Sequence, residues 1–315
     1  MERLIAVLGP TAVGKTNVSI DLAKRLNTEI ISGDSMLVYK NMNIGTAKPS
    51  KKEQSGIIHH LMDILEPQSD FSVTDFITLA NQHIIEINAR KMVPILAGGT
   101  GLYVKALLEG YQFNSTPSDE KLRIQLENLA QKHGKQYLHD QLSAVSPDVA
   151  RRLHPNDLRR IIRALEVFYL SGEAISQNKF TNQHELRYNA LVIGLTMERS
   201  LLYERINQRV DLMISQGLVN EVASLLEGGI PINCQAMQGI GYKEIVKYLQ
   251  GEVDLPTAIN NTKQATRNFA KRQLTWYRKM PYITWFDVNS FKTTHDMLEA
   301  IYNQIAGKLS LKSNN

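Results

Sequence analysis

A single cysteine, Cys234, occurs in the whole chain. That scarcity excludes an internal disulfide framework and any multi-cysteine zinc site. Long apolar runs are missing as well: none approaches the roughly 20 residues that span a bilayer. No repeat or low-complexity segment occurs. Met1-Glu2-Arg3 runs straight into an apolar stretch, so no signal peptide is expected. Cytoplasm is the expected compartment, with no membrane partner. Acidic residues are absent from one long stretch: between Leu255 and Phe286 there is no Asp or Glu, yet six basic residues occur there. What is present fits a globular protein. The 315 residues are 43% hydrophobic and 21% charged, enough for one large or two medium domains with a real core. A net charge of +5 and a pI near 9.1 suit a polyanionic partner if the charge is localised.

The strongest local signal lies near the start. Leu4-Ile5-Ala6-Val7-Leu8 has the length and branching of a buried strand. It leads into Gly9-Pro10-Thr11-Ala12-Val13-Gly14-Lys15-Thr16, and a helical pattern follows over Asn17 to Leu26. This is a P-loop in its required context of strand, Gly-rich turn and helix. Backbone amides of such a loop and the helix N-terminus converge on an anion. Lys15 would reach the terminal phosphates, and Thr16 would offer a hydroxyl to a phosphate-bound Mg²⁺.

Further along, Glu29-Ile30-Ile31 reads as a second strand ending in Ser32-Gly33-Asp34-Ser35. Asn43 to Pro49 has loop composition. The adjacent His59 and His60 lack zinc-ligand spacing and read as structural or loop residues. Ser72-x-x-Asp75 opens a helix to about Arg90 with a capping-box signature. Val93 to Ala97 is a third strand that enters a second Gly-rich turn, Gly98-Gly99-Thr100-Gly101. From Ser118 to about Gln183 only helical patterns occur. Ala190 to Leu195 then reads as a fourth strand, Arg199 to Gln216 as a helix, Ile283 to Val288 as a fifth strand and Thr294 to Leu309 as a last helix. The tail from Lys312 reads as disordered. The expected fold is α/β, a P-loop NTPase-like parallel sheet flanked by helices, with an all-helical insertion domain. The expected domains are a discontinuous core, 1–112 and 188–315, and an insertion, 113–187.

Two helices carry concentrated positive charge. The insertion bears Arg151-Arg152 and Arg159-Arg160-x-x-Arg163, for which a solvated face is an even alternative. In the acid-free stretch Lys263, Arg267, Lys271 and Arg278 recur at helical spacing as one stripe. Gln264, Gln273, Trp276 and Tyr277 are interleaved with them, a mix used on nucleic acid. That reading is favoured over a bare solvated face.

Hydrolytic P-loop enzymes place an Asp after an apolar strand to hold Mg²⁺ and water. Here the third strand ends Leu96-Ala97-Gly98-Gly99-Thr100, without an acid. The carboxylate on the expected rim is Asp34, suited to act as a general base toward an incoming nucleophile. Arg205 and Arg209 share one helix face, and Arg209 could clamp a phosphate chain. Three readings stay open on these residues: group transfer onto nucleic acid, a nucleotide or nucleoside kinase, and an NTP-switched RNA-binding module.

Several further motifs occur in order. They are Asp34-Ser35-x-x-x-Tyr39, Gly45-Thr46-Ala47-Lys48-Pro49 and Gly98-Gly99-Thr100-x-Leu102-Tyr103. His154-Pro155-Asn156-Asp157 and Arg160-x-x-Arg163-Ala164-Leu165-Glu166 follow, then Gly239-x-Gly241-Tyr242 and Lys271-Arg272-Gln273-x-Thr275-Trp276. From residue 4 to about 280 the chain resembles the bacterial tRNA dimethylallyltransferase (tRNA isopentenyltransferase) family. The resemblance implies transfer of a dimethylallyl group from dimethylallyl diphosphate to N6 of the adenosine just 3′ of the anticodon, with Mg²⁺ at Thr16. It implies catalytic roles for Asp34, Thr100 and Arg209, and a P-loop that holds the leaving diphosphate. It further implies tRNA contacts at Asp34, Ser35, Met36 and Leu37, at Thr100 and Arg123, and along Arg159, Arg160, Ile161, Ile162 and Arg163. Contacts are implied also at Gln238, Gly239, Ile240, Gly241, Tyr242 and Lys243, and at Lys271, Arg272 and Trp276. The expected partner is the anticodon stem-loop of tRNA, and the expected state is a monomer.

Overall fold

The structure is a computed structural model that describes residues 1–111, 113, 116–173 and 185–309. They fall in two compact units, Met1–Gly110 with Asn182–Asn315, and Tyr111–Thr181. In chain order the elements are β1 (Arg3–Leu8), α1 (Lys15–Leu26), β2 (Ile30–Ser32), the short α2 (Lys51–Gln54), β3 (His59–His60), α3 (Val73–Ala89), β4 (Ile95–Gly98) and α4 (Gly101–Leu108). The second unit holds α5 (Glu120–His133), α6 (Lys135–Val145), α7 (Pro147–Ala150) and α8 (Leu158–Ser171). The first unit then continues with β5 (Asn189–Thr196), α9 (Arg199–Ser215), α10 (Leu218–Glu227), α11 (Tyr242–Leu249), α12 (Leu255–Tyr277), β6 (Ile283–Asp287) and α13 (Thr294–Leu309).

The six strands form one sheet in the order β3-β2-β4-β1-β5-β6, and every pairing is parallel. Parallel sheets need both faces covered, and β1 shows how the sequence meets that need. Leu4, Ala6 and Leu8 enter one buried cluster, while Ile5 and Val7 enter the other. The near-continuous apolar run is therefore a two-faced strand with period two.

The ends of several elements differ from expectation for local reasons. Helix α1 begins at Lys15, because Gly14 adopts φ 106° and turns the chain directly into the helix. Strand β4 begins at Ile95, after Pro94, which has no amide to give to a ladder. His59 and His60 form an edge strand against Ile30 and Ile31, a structural role. The capping box is real: the Ser72 hydroxyl accepts from the Asp75 amide and the Asp75 carboxylate accepts from the Ser72 amide. Leu186 packs on the core of the first unit. The expected end of the insertion helices near Gln183 and the tail from Lys312 lie outside the described residues.

The second unit has its own core, with Leu126, Leu138, Leu142, Ile161 and Leu165 at its centre. One carboxylate organises its polar edge. Glu166 is fully buried and accepts from the Asp119 amide (2.8 Å), Arg123 Nε (2.9 Å) and Arg163 Nη1 (2.6 Å). Burial opposes its charge, yet the bonds from Arg163, the Asp119 amide and Arg123 hold its carboxyl below the usual range. Removing one partner of such a group strands a charge in the core, which is costly.

Candidate active site

The rim at the carboxyl ends of the strands is where open α/β sheets bind ligands. Here it surrounds a cavity of about 1060 Å³ within the first unit. The P-loop, Asp34 after β2, Gly98 and Gly99 at the end of β4, Arg209 of α9, and the segment from Asn43 to Glu53 all line it.

The P-loop backbone is shaped for the purpose. Gly9 and Gly14 have positive φ, as does Ala12 at 66°. Gly14 at φ 106° could carry a side chain only with strain. Lys15 Nζ donates to the Pro10 carbonyl at 2.7 Å. Burial lowers the Lys15 ammonium to about 7, Asp34 pulls it back up, and Arg209 pushes it down. An arriving diphosphate would restore its full charge. Burial also lowers the Arg209 guanidinium from its ordinary value, against the pull of Asp34 and Glu53. Lys15, Asp34 and Arg209 thus sense one another across the cavity. Arg205, one turn earlier, is exposed and does not line it.

Asp34 is held by its own turn. Its Oδ1 accepts from the Met36 amide at 2.8 Å, and among the described residues no hydrogen bond holds its Oδ2. Thr100 positions this turn: its Oγ1 accepts from the Ser35 amide at 3.0 Å, and its own amide donates to the Gly33 carbonyl at 3.3 Å. The ends of β2 and β4 are thereby tied together.

Gln273 of α12 ties the P-loop to the same place. Its Oε1 accepts from the Thr11 amide at 2.8 Å, and its Nε2 donates to the Gly99 carbonyl at 2.7 Å. A Cβ at Gly99 would lie 2.6 Å from that Nε2, so only glycine permits this approach. Sequence reasoning placed Gln273 on the nucleic-acid face, and the structure corrects this: Gln273 is 3% exposed. The available signal was its spacing with Ala270 and Tyr277, which share the buried face of α12.

The expected basic stripe is also corrected. Lys263 is paired with Asp211 of α9, and Arg267 Nη1 donates to Asn207 Oδ1 of α9 at 2.6 Å. Helix α9 thus supplies one acid, Asp211, and one neutral acceptor, Asn207. Tyr277 is fully buried. Lys271, Arg272, Arg278 and Lys279 are exposed, so the outward charge lies at the C-terminal end of α12. Trp276 is half-buried, with its Cβ beside Gly101.

Other implied tRNA contacts divide in the same way. Gln238 and Lys243 are exposed, whereas Gly241 is buried, Ile240 is half-buried and Gly239 packs on Met36. Tyr242 is fully buried, and its hydroxyl donates to Glu221 Oε1 at 2.6 Å. In the second unit Arg159 and Arg160 are exposed. Ile161 and Ile162 are core residues at 0% and 5% exposure, so their side chains are closed to a ligand. Arg123 and Arg163 are committed to Glu166, and Arg163 Nη2 also donates to the Thr116 carbonyl. Ser35 and Leu37 stand beside Asp34, and Leu37 lines the cavity.

Comparison with known proteins agrees with this geometry. A family described as IPP transferase matches residues 37–280, and one described as isopentenyl transferase matches residues 2–64. A protein of Geobacillus thermodenitrificans named tRNA dimethylallyltransferase is 50% identical over 313 residues, 99% of each chain. The crystal structure of a tRNA isopentenylpyrophosphate transferase from Bacillus halodurans is similar with a TM-score of 0.75 at 48% identity, covering 98% of this chain and 97% of that one. A eukaryotic dimethylallyltransferase, described as acting on tRNA, has a TM-score of 0.81 at 28% identity, over 100% of this chain and 81% of its own. With a parallel sheet, a P-loop and relatives that match end to end, this chain belongs to the IPP transferase family, among proteins named tRNA dimethylallyltransferase.

Proposed function

We propose that the chain transfers the dimethylallyl group of dimethylallyl diphosphate to N6 of the adenosine just 3′ of the anticodon in tRNA, forming N6-dimethylallyladenosine and releasing diphosphate. The observation that carries this reading is one cavity lined by a P-loop with its lysine, Lys15, together with Arg209 and Asp34, while Glu53, the other carboxylate in its lining, is engaged in the Ser50 capping box. Family membership sets the kinase and the NTP-switched RNA-binding module aside.

In the reaction the bond from C1 of the donor to its diphosphate oxygen breaks as the N6–C1 bond forms. N6 is a weak nucleophile whose lone pair is delocalised into the ring. Asp34 takes the proton that N6 loses, which keeps positive charge from building on the attacking nitrogen. Lys15, the P-loop amides and Arg209 stabilise the charge that develops on the departing diphosphate. Thr100 acts by holding the Asp34–Ser35 turn. No water need be activated, which accounts for the missing acid after β4.

The residues present fit a magnesium ion. Thr16 is exposed in the first turn of α1 and lines the cavity, and no group of three or more His, Cys, Asp or Glu that could hold a metal occurs among the described residues. A cation here would draw its ligands from Thr16, phosphate oxygens and water, the oxygen set that Mg²⁺ accepts. Bound, it would neutralise charge on the diphosphate.

To reach N6 the base must leave the stack, which costs least in a single-stranded loop. Lys271 and Arg272 in the first unit, and Arg159 and Arg160 in the second, are the exposed candidates for backbone phosphates. No described helix is long and apolar enough to cross a membrane, and we place the enzyme in the cytoplasm as a monomer. The deciding experiment incubates the protein with tRNA and either labelled dimethylallyl diphosphate or labelled ATP. Label should enter tRNA from the isoprenoid alone. Phosphate transfer to a nucleotide would sink the reading.

A further inference from the structure

The cavity has a second wall that the P-loop does not account for. Asn43, Ile44, Thr46, Ala47, Lys48 and Pro49 line it, yet no helix or strand runs through these residues. Their position is imposed by side chains far along the chain. Glu221, in the first turn of α10, accepts from the amides of Asn43 at 2.9 Å, Ile44 at 2.8 Å and Gly45 at 3.1 Å. Its fourth donor is the Tyr242 hydroxyl. A Cβ at Gly45 would lie 2.5 Å from the Tyr242 ring, so the segment rests directly on that buried side chain. At the other end Lys48 Nζ donates to the Tyr39 carbonyl at 2.6 Å and pairs with Asp63.

A carboxylate that takes four donors is a strong clamp, because charge-assisted bonds are about twice as strong as neutral ones. In Glu221→Gln an amide nitrogen takes the place of one carboxylate oxygen, so at least one of the three backbone amides loses its acceptor. Ile44, carried on this segment, belongs to the apolar lining together with Leu37, Met62, Leu212 and Met213.

We propose that Glu221, supported by Tyr242, is the positioning residue of this wall, and that it thereby sets the room given to the prenyl group of the donor. The proposal rests on the prenyl-transfer reading above. It is chemically reasonable because one methylene in an apolar pocket changes selectivity about 10- to 200-fold. A wall that slips by that much would admit a longer donor.

The test compares the parent protein with Glu221→Gln and with the milder Tyr242→Phe, which keeps the ring against Gly45. Each is assayed with five-carbon and ten-carbon allylic diphosphates and unmodified tRNA. In Glu221→Gln the five-carbon kcat/KM should fall about 30-fold, and the preference for five over ten carbons should narrow about tenfold. Tyr242→Phe should shift the same ratio about threefold. Affinity for tRNA should not change. Hydrogen exchange supplies an independent readout: amides 43–45 should exchange faster in Glu221→Gln while β1 and β5 keep their protection. An equal loss for both donors, with the ratio unmoved, indicates a merely structural role and overturns the proposal. Unchanged exchange at 43–45 overturns it as well. A parent that transfers neither donor overturns the prenyl-transfer reading itself, a result that an unmoved ratio in an active parent does not resemble.

Discussion

The two walls of the cavity are built in opposite ways. The P-loop wall is local: strand, turn and helix are contiguous in sequence, and Gly14 takes the left-handed conformation that joins them. The wall from Asn43 to Lys48 is remote. Its amides are held by a carboxylate nearly 180 residues away along the chain, the separation from Asn43 being 178. A local wall can be read and replaced as a unit. A remote wall depends on every element that carries one of its anchors.

The sharpest way to probe this contrast is to leave both walls standing and remove the group between them. Asp34→Ala should cut turnover by about 10²- to 10⁴-fold with tRNA affinity retained, read by single-turnover kinetics and a binding titration. Unchanged turnover removes Asp34 as the base. Next comes the outward end of α12. Reversing charge with Lys271→Glu and Arg272→Glu should weaken tRNA binding by roughly 10- to 100-fold and flatten its salt dependence, while calorimetric affinity for the donor stays the same. An equal loss of donor affinity would mean that α12 acts on the P-loop wall and not on RNA.

A smaller effect is expected from Gln273, an α12 side chain that hydrogen-bonds the local wall. Gln273→Met keeps the volume and removes both bonds, leaving the Thr11 amide without its acceptor. Turnover should fall about tenfold, more in kcat than in tRNA affinity. A loss confined to tRNA binding would return Gln273 to the nucleic-acid face.

The smallest effect concerns the start of β2, the strand that leads to Asp34. Glu29 is 6% exposed and accepts from Arg90 Nη1 at 2.5 Å, Arg90 Nη2 at 2.8 Å and His60 Nε2 at 2.7 Å. The Arg90 bond, with His60 adding to it against the cost of burial, holds the carboxyl at about 2 rather than 4.5. A lowered carboxylate stabilises the fold above its unfolded value, and that stabilisation is lost as pH falls from 4.5 toward 2. Glu29→Gln should therefore cost about 2 kcal/mol in urea melts at pH 7, with the gap to the parent closing in acid. A gap that stays constant with pH would show that packing, not charge, is at work.

Much of the fold was legible. Five strands were expected and are present with shifted ends, because near-continuous apolar runs between turn residues have few other uses. β3 was not legible, since two histidines at a sheet edge carry no apolar pattern and are ordered by pairing with Ile30 and Ile31. In the basic helix the spacing marked a stripe correctly but could not name its partner. Lys263 and Arg267 turn toward Asp211 and Asn207 of α9, whereas the basic residues Lys271 and Arg272 are exposed.

The sequence by itself determined the phosphate cradle, its lysine and the absence of an acid after β4, because these depend on backbone conformation over a dozen neighbouring residues. It also determined that α12 carries no acid of its own. Only the tertiary structure decided which cations remain outward, that Gln273 joins α12 to the P-loop, and that Glu221 holds the far wall. Those outcomes depend on donors and acceptors brought together from positions as far apart as 262 residues. Helical or strand periodicity reports the face a residue occupies and carries no information about what that face meets.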